Sequence, residues 1–211
     1  MVASAFKRGL DGLLVVGCYF GDCHYITGNV QAQAKMAITQ KVLKYVGVND
    51  ERLAFRQCSS GEASVFVELV SEFDRKIRDI GPLGGEGDRV KAPEIYQKLE
   101  TAEAVLAGEK IRWVIGKRTP FLESGNMYGE IFTEHEFNRA IDMIIVEETE
   151  VQEILAALKE GARSVKDLSQ TLAMPSERVF RYIIALKRKG MVALEKISDR
   201  TPIFQLIPQE G

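Results

Sequence analysis

Cys18 and Cys23, separated by four residues, lie in the run GLLVVGCYFGDCHYITGN at positions 12–29. The thiolate is the nucleophilic and metal-binding form of cysteine, so two thiols on one short loop point to a metal or redox site. Gly17 and Gly21 relax the backbone around them, and a Cys-x4-Cys spacing lets both sulfurs turn toward one iron, as the first pair does in plant-type ferredoxin loops. A closed cluster takes four ligands, whereas this chain has three cysteines and two histidines, His24 and His135. A zinc site would meet the same shortage. Read from spacing alone, the competing account is that Cys18, Cys23 and Cys58 are small buried hydrophobes at strand ends.

The elements that must position this loop are legible on both sides of it. Leu13 to Val16 is a short aliphatic run, expected as a strand buried on both faces that delivers Cys18 at its carboxyl end, the edge where open α/β sheets bind ligands. Before it, residues 3–10 look like the end of a helix closed by Gly9. After it, residues 30–46 space Met36, Ile38, Val42, Leu43 and Val46 as a helix, with Gly47 as the stop signal. Leu53 to Gln57 is a second strand ending at Cys58, and Ser60 with Glu62 opens a helix that stops at Gly81-Pro82. Right-handed crossover in this β-α-β-α unit makes the strands parallel, bringing Cys18 and Cys58 to one sheet edge.

Composition bounds the class. At 211 residues, 45% of them hydrophobic, the chain is long enough for two small domains or one with an appendage and can fill a real core, and no run approaches the roughly 20 apolar residues of a membrane span. A signal-peptide pattern is absent from its first residues, so a cytoplasmic location is expected, where sparse cysteines are free, metal-bound or catalytic. A net charge of −2 exerts no overall pull toward nucleic acid or membrane. With no acid and base pair, no nucleophile beside a base and no complete phosphate loop, the chain is not expected to be a catalyst alone. His24 reads more simply as a hydrogen-bonded loop residue than as a ligand, His135 in EHEF as a surface residue, and Ser59-Ser60-Gly61 as a turn and cap.

Beyond residue 83 the reading changes. Residues 84–92, GGEGDRVKA, form the expected linker, and residues 84–148 are a mixed segment. There Pro93 starts a helix through Leu106, IRWVIG is expected as a strand, TPFLESGNMYGEIFT is irregular, and EHEFNRAIDMIIVEE is a helix or strand. Residues 149–211 are expected to form three amphipathic helices and two strands around an Asp199-Arg200 turn, an order that resembles a winged helix-turn-helix. Its recognition helix, in residues 175–190, would offer Arg178, Arg181, Lys187, Arg188 and Lys189 to DNA. Basic residues at the helix end also complement the macrodipole, and winged helices serve as protein-docking modules too. A DNA-binding regulator with a redox- or metal-sensing cysteine domain is therefore the alternative to a docking role.

Taken together, GLDGLLVVGCYFGDCHYITGN, a helix, ERLAFRQ, GEA and SEFDRKIRDIGPL resemble the delta subunit of methyl-viologen-reducing hydrogenase over residues 3–83. The core GCxxGDCHYxxGN is long and unusual. Such subunits join hydrogenase to heterodisulfide reductase, and similar ones serve formate dehydrogenases. The resemblance thus implies an electron-transfer or adaptor subunit of an anaerobe's oxidoreductase complex, with a 2Fe-2S cluster, Cys18 and Cys23 among its ligands, and a heterodisulfide-reductase-like flavoprotein as partner. Family members carry an earlier strand and loop with further cysteines before the segment matching Ala3 to Leu10. The remaining ligands would come from a separate polypeptide, from an upstream part, or from nowhere, leaving a degenerate scaffold. Position 58 is ordinarily apolar in the family, so Cys58 is incidental or a replacement thiol.

Overall fold

The computed structural model describes residues 1–208. A short helix, α1 (Val2–Lys7), leads into strand β1 (Leu13–Gly17), helix α2 (Gly28–Val46), a single turn at Asp50–Arg52, strand β2 (Leu53–Gln57) and helix α3 (Ala63–Ile80). The two strands pair in parallel, Leu13 opposite Leu53 through Gly17 opposite Gln57. Gly47 caps α2 with φ of +96°, the left-handed conformation its lack of a side chain permits.

β1 departs from the expectation of burial on both faces, since all five of its residues are only half-buried. The sheet has two strands among the described residues, so β1 is an edge, and α3 buries none of its own residues. The other face does carry a core. Leu13 and Val15 pack against a core that includes Phe6, Ile38, Val42 and Leu43, to which helix α4 (Glu94–Ala107) adds Ile95, Leu99, Ala102 and Val105.

The glycine-rich stretch 84–92 is not a linker. Asp88 is 4% exposed and Arg52 fully buried; Arg52 Nη2 donates to Asp88 Oδ2 at 2.8 Å and Nε reaches both carboxylate oxygens. The remaining guanidinium donors bond the carbonyls of Asp11 and Gly81 through Nη1 and of Pro82 through Nη2, while Asp88 accepts from the Asn49 and Gly84 amides. A buried charge is tolerable only when paired and hydrogen-bonded throughout, and this pair meets that condition. It ties the entrance of β1, the entrance of β2 and the exit of α3 to one point. The linker expectation failed because glycine and charge are read as solvated by default, and the partner of Asp88 lies 36 residues away.

Next come α5 (Glu109–Glu123) and the long α6 (Glu134–Lys159). IRWVIG, expected as a strand, lies inside α5, where Ile111 and Val114 are buried at helical spacing. A short apolar run does not distinguish strand from buried helix by itself, and here the core contact settled it. Part of TPFLESGNMYGEIFT is likewise helical, since α5 runs through Pro120. EHEFNRAIDMIIVEE and VQEILAALK form one continuous helix, α6.

The chain divides into two compact units, Met1–Val146 and Glu147 onward. In the second, the end of α6 is followed by β3 (Arg163–Ser164), α7 (Val165–Thr171), α8 (Ser176–Arg188), β4 (Val192–Ser198) and β5 (Thr201–Leu206). The sheet order is β3-β5-β4, antiparallel throughout. Asp199 and Arg200 form the β4-β5 turn with φ of +46° and +63°. Ser164 and Asp167 form a capping box at α7. Ile154, Leu168, Val179, Ile183, Val192 and Phe204 are central to this unit's core.

Candidate functional site

The loop between β1 and α2 is built around a buried side chain. Asn29, 4% exposed in the first turn of α2, donates from Nδ2 to the Cys18 carbonyl at 3.1 Å and the Tyr19 carbonyl at 2.7 Å, with Cys18 Sγ at 3.7 Å. Gln57, at the end of β2, adds a bond to the same Cys18 carbonyl at 3.2 Å. Carbonyls leaving a strand end need donors, and these two amides supply them from the neighbouring helix and strand. Asn29 gave no chemical signal in the sequence beyond its place at the end of the GCxxGDCHYxxGN string.

Cys23 lies against the start of α2. Ile26 N–H bonds the Cys23 carbonyl at 2.8 Å, and Ile26 itself has φ of +61°, an outlier for a β-branched residue. Strained backbone of this kind persists only where its surroundings enforce it. The turn directs amides at sulfur: the Tyr25 N–H foremost, then that of Asn29, the Cys18 thiol and the Gly28 N–H, hold the Cys23 thiol below its ordinary range. A β-carbon at Gly28 would lie 3.3 Å from Cys23 Sγ, so glycine there permits the close approach. Partial burial, followed by the hydrogen bond to Cys23, pushes the Cys18 thiol up. Cys23 is therefore the more readily ionised of the two thiols, with the positive end of α2 beside it.

Cys58 emerges where the parallel strands require, its N–H bonding the Gly17 carbonyl at 2.9 Å. Cys18 and Cys58 line the same cleft of about 630 Å³, together with Tyr19, Asp22, Ser59, Glu62 and Phe66. The Cys58 thiol is turned to the Ser59 and Glu62 carbonyls, at 3.3 and 3.5 Å. Tyr19 hydrogen-bonds Glu62, which raises the phenol above its usual range. Ser59 lies in the turn before α3, its N–H bonding Glu62 Oε2 at 2.9 Å, but the expected serine cap is not made: the N-cap residue is Glu62 and no side chain caps the helix. His24 is exposed, edge-on to Tyr25 at 5.2 Å between centroids, and His135 is exposed on α6.

Among the described residues, no group of three or more Cys, His, Asp or Glu is arranged to hold a metal ion. A full four-ligand donor set is thus not gathered by the described residues. In the second unit, Arg178 pairs with Glu150 at 2.7 Å, Arg181 lies over the Tyr182 ring at 5.6 Å, and Lys187, Arg188 and Lys189 are exposed around the end of α8. No helix of the described residues is long and apolar enough to cross a membrane.

Comparison with known proteins bears on the first unit. Over 85 residues the chain is 40% identical to a component of the ferredoxin/F420H2-dependent CoB-CoM heterodisulfide reductase of Methanosarcina acetivorans, a match covering 40% of this chain and 11% of that protein. It is 38% identical over 81 residues to the iron-sulfur subunit of the F420-non-reducing hydrogenase of Archaeoglobus profundus, covering 38% of this chain and 59% of the relative. The corresponding iron-sulfur subunit of the F420-non-reducing hydrogenase vhu of Methanocaldococcus jannaschii is 33% identical over 78 residues, 37% of this chain and 58% of that one. The chain thus spans somewhat over half the length of these hydrogenase proteins and a small part of the reductase component. Residues 1–81, which build the cysteine loop, both strands and α3, match the family of the delta subunit of methyl-viologen-reducing hydrogenase.

Proposed function

We propose that this chain is an electron-transfer or adaptor subunit of a hydrogenase/heterodisulfide-reductase-like complex. Its partners are a heterodisulfide-reductase-like flavoprotein and a hydrogenase or formate dehydrogenase. The observation that carries the reading is the Cys18 and Cys23 pair, held by Asn29 and the amides at the start of α2 within the matched segment. In this reading the two sulfurs are two of four ligands of a 2Fe-2S cluster, and the other two come from outside the described residues. A cluster held there would supply one-electron exchange. The residues of this chain supply position and charge: Asn29 and Gln57 fix the Cys18 backbone, and the Tyr25, Gly28 and Asn29 amides stabilise negative charge on the Cys23 sulfur. We read the second unit as a winged helix-turn-helix used for docking, on the succession of α6, α7 and α8 with a β3-β5-β4 sheet.

The test is the complex purified anaerobically and assayed for iron and acid-labile sulfide in this chain. Both are expected in the native protein, lost in Cys18→Ser and in Cys23→Ser, and retained in Cys58→Ser. A chain without iron in the intact complex overturns the cluster and leaves a scaffold. Equal loss in Cys58→Ser would make Cys58 a ligand.

A further inference from the structure

The outward face of α8 combines two properties that a solvated helix face does not need. Val179, Tyr182, Ile183 and Leu186 are buried, which turns Phe180, Arg181, Ile184, Lys187 and Arg188 to the opposite side, neighbours at spacings of one, three and four. Phe180 is 50% exposed in the middle of the helix. Glu177 lies on the same face, three residues before Phe180 and four before Arg181, and after it the chain carries no acidic residue until Glu195, so beyond the first turn of α8 the charged neighbours of Phe180 and Ile184 along the helix are basic.

Two classes of macromolecule could meet a basic helix, and the geometry separates them. A helix that reads DNA presents polar side chains from its N-terminal half to base edges. Here that half offers Ser176, Glu177, the exposed ring of Phe180, Arg181 lying over the Tyr182 ring, and Arg178 already bound to Glu150, a carboxylate 8% exposed that also accepts from Tyr182 Oη at 2.8 Å, so an acidic and an aromatic side chain stand where base-reading polar groups are needed. An exposed aromatic beside arginine is instead the composition of protein-binding surfaces.

Building on the adaptor reading, we propose that this face of α8 docks an acidic amphipathic segment of a partner protein. Phe180 and Ile184 receive its apolar side chains, and Arg181, Lys187 and Arg188 pair with its carboxylates. Electrostatic complementarity sets the partner's sign and the apolar pair supplies the anchor.

The full chain is titrated at about 0.15 M salt, where only close charge pairs survive screening. The probes are a fluorescent helical peptide of about 16 residues with leucine on one face and glutamate elsewhere, the same peptide with lysine for glutamate, and a random-sequence DNA duplex. The acidic peptide is expected to bind, and to bind at least about tenfold more weakly to Phe180→Ser and to the double variant Lys187→Glu with Arg188→Glu. The double variant is expected to acquire affinity for the lysine peptide. All three positions are solvent-facing, and far-UV circular dichroism confirms that each variant is folded. Failure of the acidic peptide to bind, equal binding of both peptides, or binding of the duplex lost on the same substitutions overturns the proposal. The iron assay above is independent: a chain that binds the acidic peptide but carries no iron keeps the docking surface and loses only the cluster.

Discussion

Substituting Asp88 by Asn removes one charge from a pair in which both side chains are fully buried, and leaves the Arg52 guanidinium without its counter-ion. Three backbone carbonyls still accept from Arg52, but the charge stays desolvated, and the Asn49 and Gly84 amides compete for the one remaining oxygen. Breaking a buried pair on one side costs about 3–5 kcal/mol. With a urea dependence of about 2 kcal/mol per molar, that is a fall of about 1.5–2.5 M in the unfolding midpoint. Trp113 is the chain's single tryptophan and sits on α5 in the first unit, so its fluorescence reports this unit. Far-UV circular dichroism follows the whole chain in the same titration. A midpoint shift below about 0.5 M would refute the reasoning, because it would mean that Arg52 and Asp88 are hydrated in solution and that residues 84–92 behave as a linker after all.

Three further outcomes are expected. In the metal-free chain at pH 7, iodoacetamide should label Cys23 faster than Cys18, because the first thiol is held below its ordinary value and the second pushed above it, and raising the pH past 9 should narrow the ratio; equal initial rates by peptide mass mapping at pH 7 would contradict the loop geometry. Asp167 is held below its ordinary 3.8 by the Ser164 hydroxyl first, so its contribution is present above that value and lost as pH falls through the lower folded value; Asp167→Asn should therefore be less stable than the native chain at pH 7, with a deficit that shrinks as pH falls below 3.8, and a deficit independent of pH would count against the capping box. Thr149 is fully buried, and its Oγ1 has no hydrogen-bond partner among the described residues; the nearly isosteric Thr149→Val should raise stability by about 1 kcal/mol, and a loss of stability in a thermal melt would show that the hydroxyl is satisfied in solution.

Much of the first unit was written locally. The aliphatic run Leu13 to Val16, the helical spacing from Met36 to Val46, the stop at Gly47 and the run Leu53 to Gln57 specify their elements within windows of a few residues, and the right-handed crossover then leaves parallel pairing as the consistent topology. That reasoning also placed Cys18 and Cys58 at one sheet edge, where both line the same cleft. Contacts across sequence distance decided the rest. Asp88 is a surface-type residue until Arg52 is brought beside it, and Ile111 to Gly116 is an ambiguous apolar run until Ile111 and Val114 meet the core as a helix. Nor does the sequence show that Asn29 organises the cysteine loop, because an asparagine's role depends on which carbonyls the fold places within reach, here those of Cys18 and Tyr19. Residue type and spacing determined which groups could do chemistry and which elements carry them; tertiary structure decided their partners, because hydrogen bonds and burial depend on positions in space that local patterns do not encode.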